Sequence, residues 1–356
     1  MPFLNLRTKL MNGKFFFIGL ILVVLCLLLY LFKSFLMVIA IASLMAVATS
    51  NINAKFLSLF HGKKVLAASS TTTLMLLLFF VPFFYAITKM GVALKNFDIS
   101  HLNATLLYFK NYQFNLPESL AFLEPKIREF IASIDLNSLS KNAFTQLGNF
   151  TKIGAKFLTD MVLIIVFYFF ANLYGTQLII YLKSVIPISK EELNEILSEV
   201  GNVMAVVFYS TAVISILEGI LFALIIAFFG YDGVLFGIIF AFSSLIPAVG
   251  GALVYVPLSL YEFALNGWQN AAWIFLASII IISLIADTFI KPLIIKWINE
   301  KLVKTPTQIN ELLIFLSMLA GISSFGFWGI ILGPAILTFF ISTIKMYVIL
   351  KDKKLV

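Results

Sequence analysis

The chain has 356 residues, of which 61% are hydrophobic and 12% are charged, whereas a soluble domain has about 25% charged residues. So much apolar side chain excludes a water-soluble globular protein and indicates a protein that is covered by lipid. The net charge of +8 comes from basic residues in short connectors and at both chain ends, a distribution that sets membrane orientation and argues against nucleic-acid binding.

Apolar stretches long enough to cross a membrane, about 20 residues each, number about eight. They fall at 15–32, 35–50, 65–88, 158–182, 203–229, 233–262, 271–290 and 311–347. The sequence therefore predicts an all-α, multi-pass membrane protein. The first stretch is too long for the apolar part of a signal peptide and predicts a retained span. Only Lys33 and Ser34 separate it from the second, which predicts a tight helical hairpin.

Residues 89–157 differ from the rest because charged and apolar residues alternate there at helical spacing. Apolar positions recur every three or four residues between Leu120 and Ile134, which predicts an amphipathic helix outside the membrane. A second such pattern, from Leu136 to Phe157, leads into the fourth stretch. We expect an N-terminal three-span bundle at 1–88, this helical insert at 89–157 and a transport region at 158–356. The insert is expected to contact another domain or subunit.

Basic connectors predict the orientation of the spans. With a cytoplasmic N-terminus, the connectors at 51–64 and 183–202 lie inside and the insert lies outside. Simple alternation would then place the lysine-rich connector after the seventh stretch outside, against the preference of lysine for the cytoplasmic side. Its lysines are Lys291, Lys296, Lys301 and Lys304. The conflict disappears if 233–262 enters and leaves on one side as a re-entrant hairpin, which also leaves both chain termini cytoplasmic.

The middle of 233–262 carries the residues that such a hairpin needs, SLIPAVGG over 244–251 followed by Pro257. Non-helical backbone at membrane depth is tolerated only where protein or a water-filled cavity covers it. The stretch at 311–347 repeats the pattern with several glycines and Pro334. Two broken segments predict a substrate site near the middle of the membrane. The alternative is a proline-kinked helix with a glycine-rich packing face.

Four ionisable residues lie within or beside the predicted spans, and one of them, Glu262, sits at a span end and is expected to be only interfacial. Glu218 is surrounded in sequence by apolar residues, and a carboxylate at membrane depth costs about 2.5–3.5 kcal/mol unless it has a partner. It is expected either to bind a proton, a cation or a polar substrate, or to be neutral and satisfied by a neighbouring helix. Asp287 and Lys291 are four positions apart, so they can pair on one helix face. That pair is either structural or part of coupling, and Pro292 is expected to end the helix nearby.

Sites for metals, cofactors and catalysis are not expected. Cys26 is the single cysteine, and the two histidines, His61 and His101, have no acidic or thiol neighbours in sequence. Signatures of zinc proteases, serine nucleophiles, nucleotide phosphate loops and intramembrane aspartyl proteases are missing from the sequence. The chain is therefore not expected to be an enzyme or to use ATP by itself.

Three segments of the second half resemble the autoinducer-2 exporter family, whose members are also called PerM-like permeases. They are SLIPAVGGALVYVP at 244–257, DTFIKPLI at 287–294 and LAGISSFGFWGIILGP at 319–334. The first half agrees with the family in its plan only. Gly251, Ile322 and Gly333 depart from the residues common in the family at those positions. The resemblance implies a multi-span exporter or permease, with cargoes that include autoinducer-2 and, in some members, sodium exchanged for protons. It also implies an oligomer, with a pentamer as one possibility.

The sequence thus predicts a secondary transporter that moves a small polar solute across the cytoplasmic (inner) membrane. Sodium or lithium/proton antiport is the alternative, and a non-transporting membrane scaffold is a rival of another class. Lithium tolerance of a sensitive host would separate antiport from solute export, and deletion of 110–150 would remove a scaffold's partners. The expected partners are the solute, a proton or sodium ion, lipid and further copies of the chain. The residues expected to form the pathway are Glu218, Ser243, Ser244, Pro247, Gly250, Gly251, Asp287, Lys291, Gly321, Ser324, Gly326 and Pro334.

Overall fold

The computed structural model describes residues 3–95, 107, 125–126, 129, 136–185, 190–247, 249–301 and 310–352. Within these residues the chain is helical and contains no β-strand, which confirms the predicted all-α class. The helices of the first part are α1 Phe3–Phe32, α2 Leu36–Ala48, α3 Ser50–Leu59, α4 Lys64–Met75 and α5 Val81–Lys95. Those of the second part are α6 Leu136–Val185, α7 Lys190–Ala227, α8 Gly233–Ser243, α9 Ala252–Asn266, α10 Trp268–Ala277, α11 Lys291–Lys301, α12 Glu311–Phe325 and α13 Gly329–Asp352.

Three non-α segments join helices directly. The π-helical segments Leu76–Phe80 and Ser278–Ile290 connect α4 to α5 and α10 to α11, and the 3-10 turn Gly326–Trp328 connects α12 to α13. In both π segments the closing amide bonds the carbonyl five residues earlier, Val81 to Leu76 and Lys291 to Ala286. Each joined pair around a π segment therefore continues as one long helix.

Among the described residues, five helical stretches are long and apolar enough to cross a membrane, or six when the bent pair α1–α2 counts as one span. The five are Lys64–Val92, Lys156–Tyr181, Leu197–Ala227, Trp268–Lys301 and Leu312–Lys345. The last meets the criterion by length and composition, but its two halves, α12 and α13, fold back against each other. Two further apolar helices at 233–243 and 252–263 are shorter. The chain is a multi-pass membrane protein, but the predicted count of about eight hydrophobic units is not confirmed.

The predicted tight hairpin of the first two stretches is wrong. The axes of Phe16–Phe32 and Leu36–Ala48 meet at 93°, so the second helix leaves at a right angle instead of folding back. Backbone bonds from Lys33 to Tyr30 and from Phe35 to Phe32 keep the connection in a tight turn. Beyond it, α2 packs on α6 and α7, while the described side chains of α1 are exposed. Burial of α2 against other helices therefore sets its direction.

The insert predicted at 89–157 lies only partly within the described residues. Its predicted amphipathic helix, Leu120–Ile134, lies almost entirely outside them. The pattern that starts at Leu136 belongs to α6, which continues without interruption to Val185. The domain boundaries at 88/89 and 157/158 stay predictions.

The two largest apolar cores in the described part of the chain hold many of its helices together. The first core joins α2, α6 and the 3-10 turn between α12 and α13 through residues such as Ile41, Tyr168 and Trp328. Inside it, the hydroxyls of Thr49 and Tyr168 lie 2.6 Å apart. The second core stacks Phe222 of α7 on Phe240 of α8, with ring centroids 4.5 Å apart. It fixes α8 against α7, and so it places the chain that follows α8 next to the middle of α7.

Candidate functional site

The candidate site starts from Glu218, on the stretch of α7 that is apolar enough to span the membrane. Its side chain is 5% exposed. The next residue, Gly219, packs against α8 so closely that a Cβ there would lie 2.6 Å from the Gly237 carbonyl oxygen and 2.8 Å from the Ala241 Cβ. Small residues at such spacing let two membrane helices approach each other. The approach brings the end of α8 beside Glu218.

The chain between α8 and α9 leaves helical structure at Ser244 and resumes it at Ala252. Backbone hydrogen bonds hold this turn, from Ile246 to Ser243 at 2.9 Å and from Gly250 to Ile246 at 3.0 Å. Gly250 lies directly over the turn, where a Cβ would overlap the Ser243 carbonyl oxygen. The predicted break in the helix is therefore present, and a residue without a side chain closes it. Whether the hairpin is re-entrant in the membrane stays a prediction.

Asp287 lies in the π-helical segment Ser278–Ile290, and Lys291 begins α11. The Lys291 ammonium is 3.2 Å from an Asp287 carboxylate oxygen, and both side chains are partly exposed. The predicted pairing is thus present in the structure. The expectation that Pro292 ends this helix is wrong, because the helix runs on to Lys301. In a π turn the backbone hydrogen bonds span five residues instead of four. Pro292, which has no backbone N–H to donate, comes directly after such a turn.

The structure brings these elements together at Glu218. Its carboxyl lies near the Asp287 carboxyl, Lys291 and Ser244, close enough for the two charged groups to act on it electrostatically. The Ser244 hydroxyl itself donates to the Ala241 carbonyl at 3.1 Å. We call Glu218, Ser244, Asp287 and Lys291 the carboxyl cluster. An ionised carboxyl group only accepts hydrogen bonds, so Glu218 and Asp287 can bond to each other only when the pair holds a proton. No neighbour of Glu218 was visible in the sequence, because the turn after α8, the π segment and α11 supply them.

The other predicted residues of the first hairpin surround the turn. Ser243 ends α8, Pro247 lies in the turn and Gly250 closes it. A Cβ at Gly251 would lie 2.8 Å from the Phe240 ring. These residues shape the backbone near the carboxyl cluster.

The predicted residues of the final stretch lie in a separate antiparallel hairpin, α12–α13, and not beside Glu218. The backbones of Gly321 and Gly329 touch, and Gly333 packs against Ser317. Pro334 is buried within α13, whereas Ser324 and Gly326 are exposed at the turn. The glycine-rich packing face, considered as an alternative to a broken segment, is thus present within a hairpin. Its signal was available in the sequence as two glycines four positions apart, Gly329 and Gly333.

A second buried carboxylate was missed. Glu262 was expected at a membrane interface, but it is 2% exposed. It accepts hydrogen bonds from the Tyr231 hydroxyl, from Asn266 Nδ2 at 2.9 Å and from Asn270 Nδ2 at 3.1 Å. We call these residues the Glu262 cluster. Asn266, four positions after Glu262, shares its helix face, and that spacing could have found this part of the cluster. Asn270 lies on α10, beyond the break at Gly267, so no helical spacing predicts its contact with Glu262.

Among the residues that the structure describes, no group of three histidine, cysteine, aspartate or glutamate side chains is placed to hold one metal ion.

Residues 20–349 match the family described as AI-2E family transporter. The chain belongs to the AI-2E transporter family. The resemblance seen in the motifs is therefore confirmed, and membership of a transporter family indicates a non-enzymatic function.

Relatives extend the family match over nearly the whole chain. A protein of Helicobacter pylori strain J99 named "Putative transport protein" is 32% identical over 340 residues, which cover 95% of this chain and 96% of the relative. One of Treponema pallidum with the same name is 26% identical over 309 residues, covering 80% and 71%. One from Aquifex aeolicus is 28% identical over 185 residues, covering 50% and 48%. The names support transport by this AI-2E family member and specify no cargo.

Proposed function

We propose that this protein is a secondary permease or exporter of a small polar solute, in which the carboxyl cluster takes up and releases a proton. It lies in the cytoplasmic (inner) membrane with both termini in the cytoplasm. One observation supports the proposal above the others: two carboxyl groups on different membrane helices lie near each other beside a non-helical turn. Intramembrane carboxyl groups mark ion and substrate pathways because their burial is otherwise costly.

The elements of the cluster suggest how a proton and a solute are coupled. Glu218 and Asp287 together hold one proton when they bond to each other, and Lys291 offsets the remaining negative charge. Loss of that proton leaves two carboxylates in contact, which repel each other. A solute with hydroxyl groups can then replace the missing donor at the pair, and Ser244 adds a second polar contact from the turn.

The cargo follows from the family. An autoinducer-2-like molecule, which is small and rich in hydroxyl groups, fits a site of carboxyl, hydroxyl and ammonium groups. Autoinducer-2 is therefore the solute to test first. We further propose that several copies of the chain assemble, as the resemblance implies.

The test is flux in proteoliposomes that contain the purified protein. A proton gradient is expected to drive autoinducer-2 movement by the wild type, and Glu218→Gln is expected to abolish it while the protein stays folded. Glu300→Gln removes an exposed carboxylate of α11 and serves as the matched control with unchanged flux. Undiminished flux in Glu218→Gln would remove Glu218 from the mechanism.

Sodium or lithium/proton antiport is the second candidate, because two adjacent carboxylates are also ion ligands. Lys291, at 3.2 Å from Asp287, places a positive charge where the cation would bind, and this favours solute transport. Lithium release from the same liposomes separates the two. Gradient-driven lithium flux without autoinducer-2 flux would favour antiport.

A further inference from the structure

The Glu262 cluster ties together segments that are separate in sequence. Tyr231 lies in the connection between α7 and α8, and Asn270 lies in the first turn of α10. Glu262 and Asn266 lie between them on α9. The two asparagines donate to the same carboxylate oxygen, at 2.9 and 3.1 Å, and Tyr231 donates to the other oxygen. One buried carboxylate thus accepts hydrogen bonds from three places along the chain, and the transport proposal makes no use of it.

A single glycine separates the two helices that the cluster joins. Helix α9 ends at Asn266 and α10 begins at Trp268, so Gly267 is the whole link between them. Its φ of +87° and ψ of −177° lie in a region that is essentially limited to glycine, and a Cβ there would meet open space. Because glycine has access to many other backbone conformations, this link alone does not fix the angle between α9 and α10.

The hydrogen bond from Asn270 to Glu262 crosses that glycine link. Apolar packing also holds α9 and α10 together, because Leu258 and Ile274 both belong to the second core, but apolar contact has no preferred direction. A hydrogen bond weakens steeply when its angle departs from the preferred range. The Asn270 bond therefore restrains the angle between the two helices, whereas the Asn266 bond stays within α9.

The far ends of the joined segments reach the carboxyl cluster. Helix α8 starts just after the α7–α8 connection and ends beside Ser244. Helix α10 continues through the π segment, which carries Asp287, into α11. Asp287 lies 20 residues beyond Gly267. At about 1.5 Å per residue, a rotation of α10 by about 10° at Gly267 would move Asp287 by ~5 Å. The angle at the glycine link therefore determines how close Asp287 comes to Ser244.

We propose that Glu262 is a positioning residue of the transport site. Through its hydrogen bond with Asn270 it holds α9 and α10 at one angle, and so it sets the position of Asp287 relative to Ser244. Glu262 acts through these residues and makes no contact with the solute. The inference rests on the proposed transport function for its effect on solute binding, whereas its effect on helix geometry is measurable without transport.

The geometric test measures the distance between two spin labels on the full-length protein in nanodiscs, by double electron–electron resonance. Cys26→Ser first removes the one cysteine of the chain. The labels are attached through Leu253→Cys on α9 and Leu293→Cys on α11, where the native side chains are 57% and 66% exposed. Leu293 lies 26 residues beyond Gly267, so the distance responds strongly to a rotation at the glycine link.

Matched variants separate positioning from simple loss of a hydrogen bond. Asn270→Ala removes the bond that crosses the glycine link, and Glu262→Met removes the acceptor with little change in size. Both are expected to broaden the distance distribution or to shift its maximum by at least about 5 Å, as for a rotation of about 10°. Asn266→Ala removes a bond to the same oxygen that stays within α9, and it is expected to keep the wild-type distribution. Wild-type distances in Asn270→Ala, or equal changes in both alanine variants, would overturn the proposal.

Autoinducer-2 flux in proteoliposomes gives the second readout. Asn270→Ala is expected to raise the half-saturating solute concentration about fivefold, as for loss of one neutral hydrogen bond, because Asp287 and Ser244 no longer reach the solute together. A role in stability alone would lower the maximal flux and leave that concentration unchanged, and this result would overturn the role at the site. If the wild type moves no autoinducer-2, the proposed function fails, and the spin-label distances alone decide whether Glu262 positions Asp287.

Discussion

The two glycine- and proline-rich segments of the second half look alike in sequence but differ in structure. In the first, 233–266, the chain leaves helix over Ser244–Gly251, and this turn brings Ser244 to Glu218. In the second, 311–352, a short 3-10 turn joins two helices whose glycine faces touch. The first segment places polar atoms beside buried charge, and the second builds a tight apolar contact. Similar breaker residues therefore serve a polar site in one hairpin and close packing in the other.

The glycine contact of the second hairpin should be the most sensitive feature. A Cβ at Gly329 would overlap backbone atoms of Gly321, which cannot move aside as a flexible side chain can. Gly329→Ala is expected to lower the free energy of unfolding by about 3 kcal/mol, measured by SDS titration. Gly175→Ala, where a Cβ meets open space on α6, is the matched control. Equal loss in both variants would contradict the packing role.

In the first hairpin, substitution should affect transport more than stability. Asp287→Asn is expected to reduce gradient-driven flux by at least about tenfold, as does Glu218→Gln. Because the two carboxyl groups act together, the double variant should lose no more than either single one. Proteoliposome flux measures all three variants. Losses that multiply in the double variant would show that the groups act independently.

The serines of the two hairpins offer the most direct comparison. Ser244→Ala removes a hydroxyl from the carboxyl cluster and should lower flux about tenfold, as expected for one hydrogen bond to a charged group. Ser324→Ala changes an exposed residue at the second turn and should leave flux unchanged. If both variants transport equally well, Ser244 has no part in the site.

The turn of the second hairpin should show a smaller effect than the glycine contact. Gly326 has φ +64° and ψ −149°, a conformation that is essentially limited to glycine and costs a residue with a Cβ about 1–3 kcal/mol. Gly326→Ala should lower the free energy of unfolding by an amount in that range, and Gly326→Asn by a similar amount, since the positive-φ region that asparagine tolerates has a positive ψ. SDS titration again gives the values. A loss for asparagine well below that for alanine would be inconsistent with this conformational cost.

Local patterns predicted the parts of the molecule that depend on nearby residues. The apolar stretches, the break at 244–251 and the pairing of Asp287 with Lys291 each follow from spacing within one segment. The bend of 93° between α1 and α2 was not predictable in this way, because packing of α2 on distant helices determines it. The continuation of the helix beyond Pro292 likewise depends on π geometry that no single residue signals.

The candidate site shows the same division. Glu218 was singled out by the free-energy cost of a carboxylate in lipid, but Asp287 comes near it from a separate helix, and no local pattern specifies such proximity. Glu262 was placed at an interface because it lies near the end of an apolar stretch. Its burial depends on Tyr231, which reaches it from the connection between α7 and α8.

The π-helical segment Ser278–Ile290 has a consequence for motion. A turn that spans one extra residue can relax to α-helix by a shift of one position, and each position corresponds to about 100° of rotation around the axis. Such a slip would swing Asp287 and Lys291 away from Glu218 as a unit, with the helix still continuous. Hydrogen exchange of backbone amides that is faster at Ala286 and Thr288 than in α10 would reveal this rotation. The helix could then separate Asp287 from Glu218 and return it without bending.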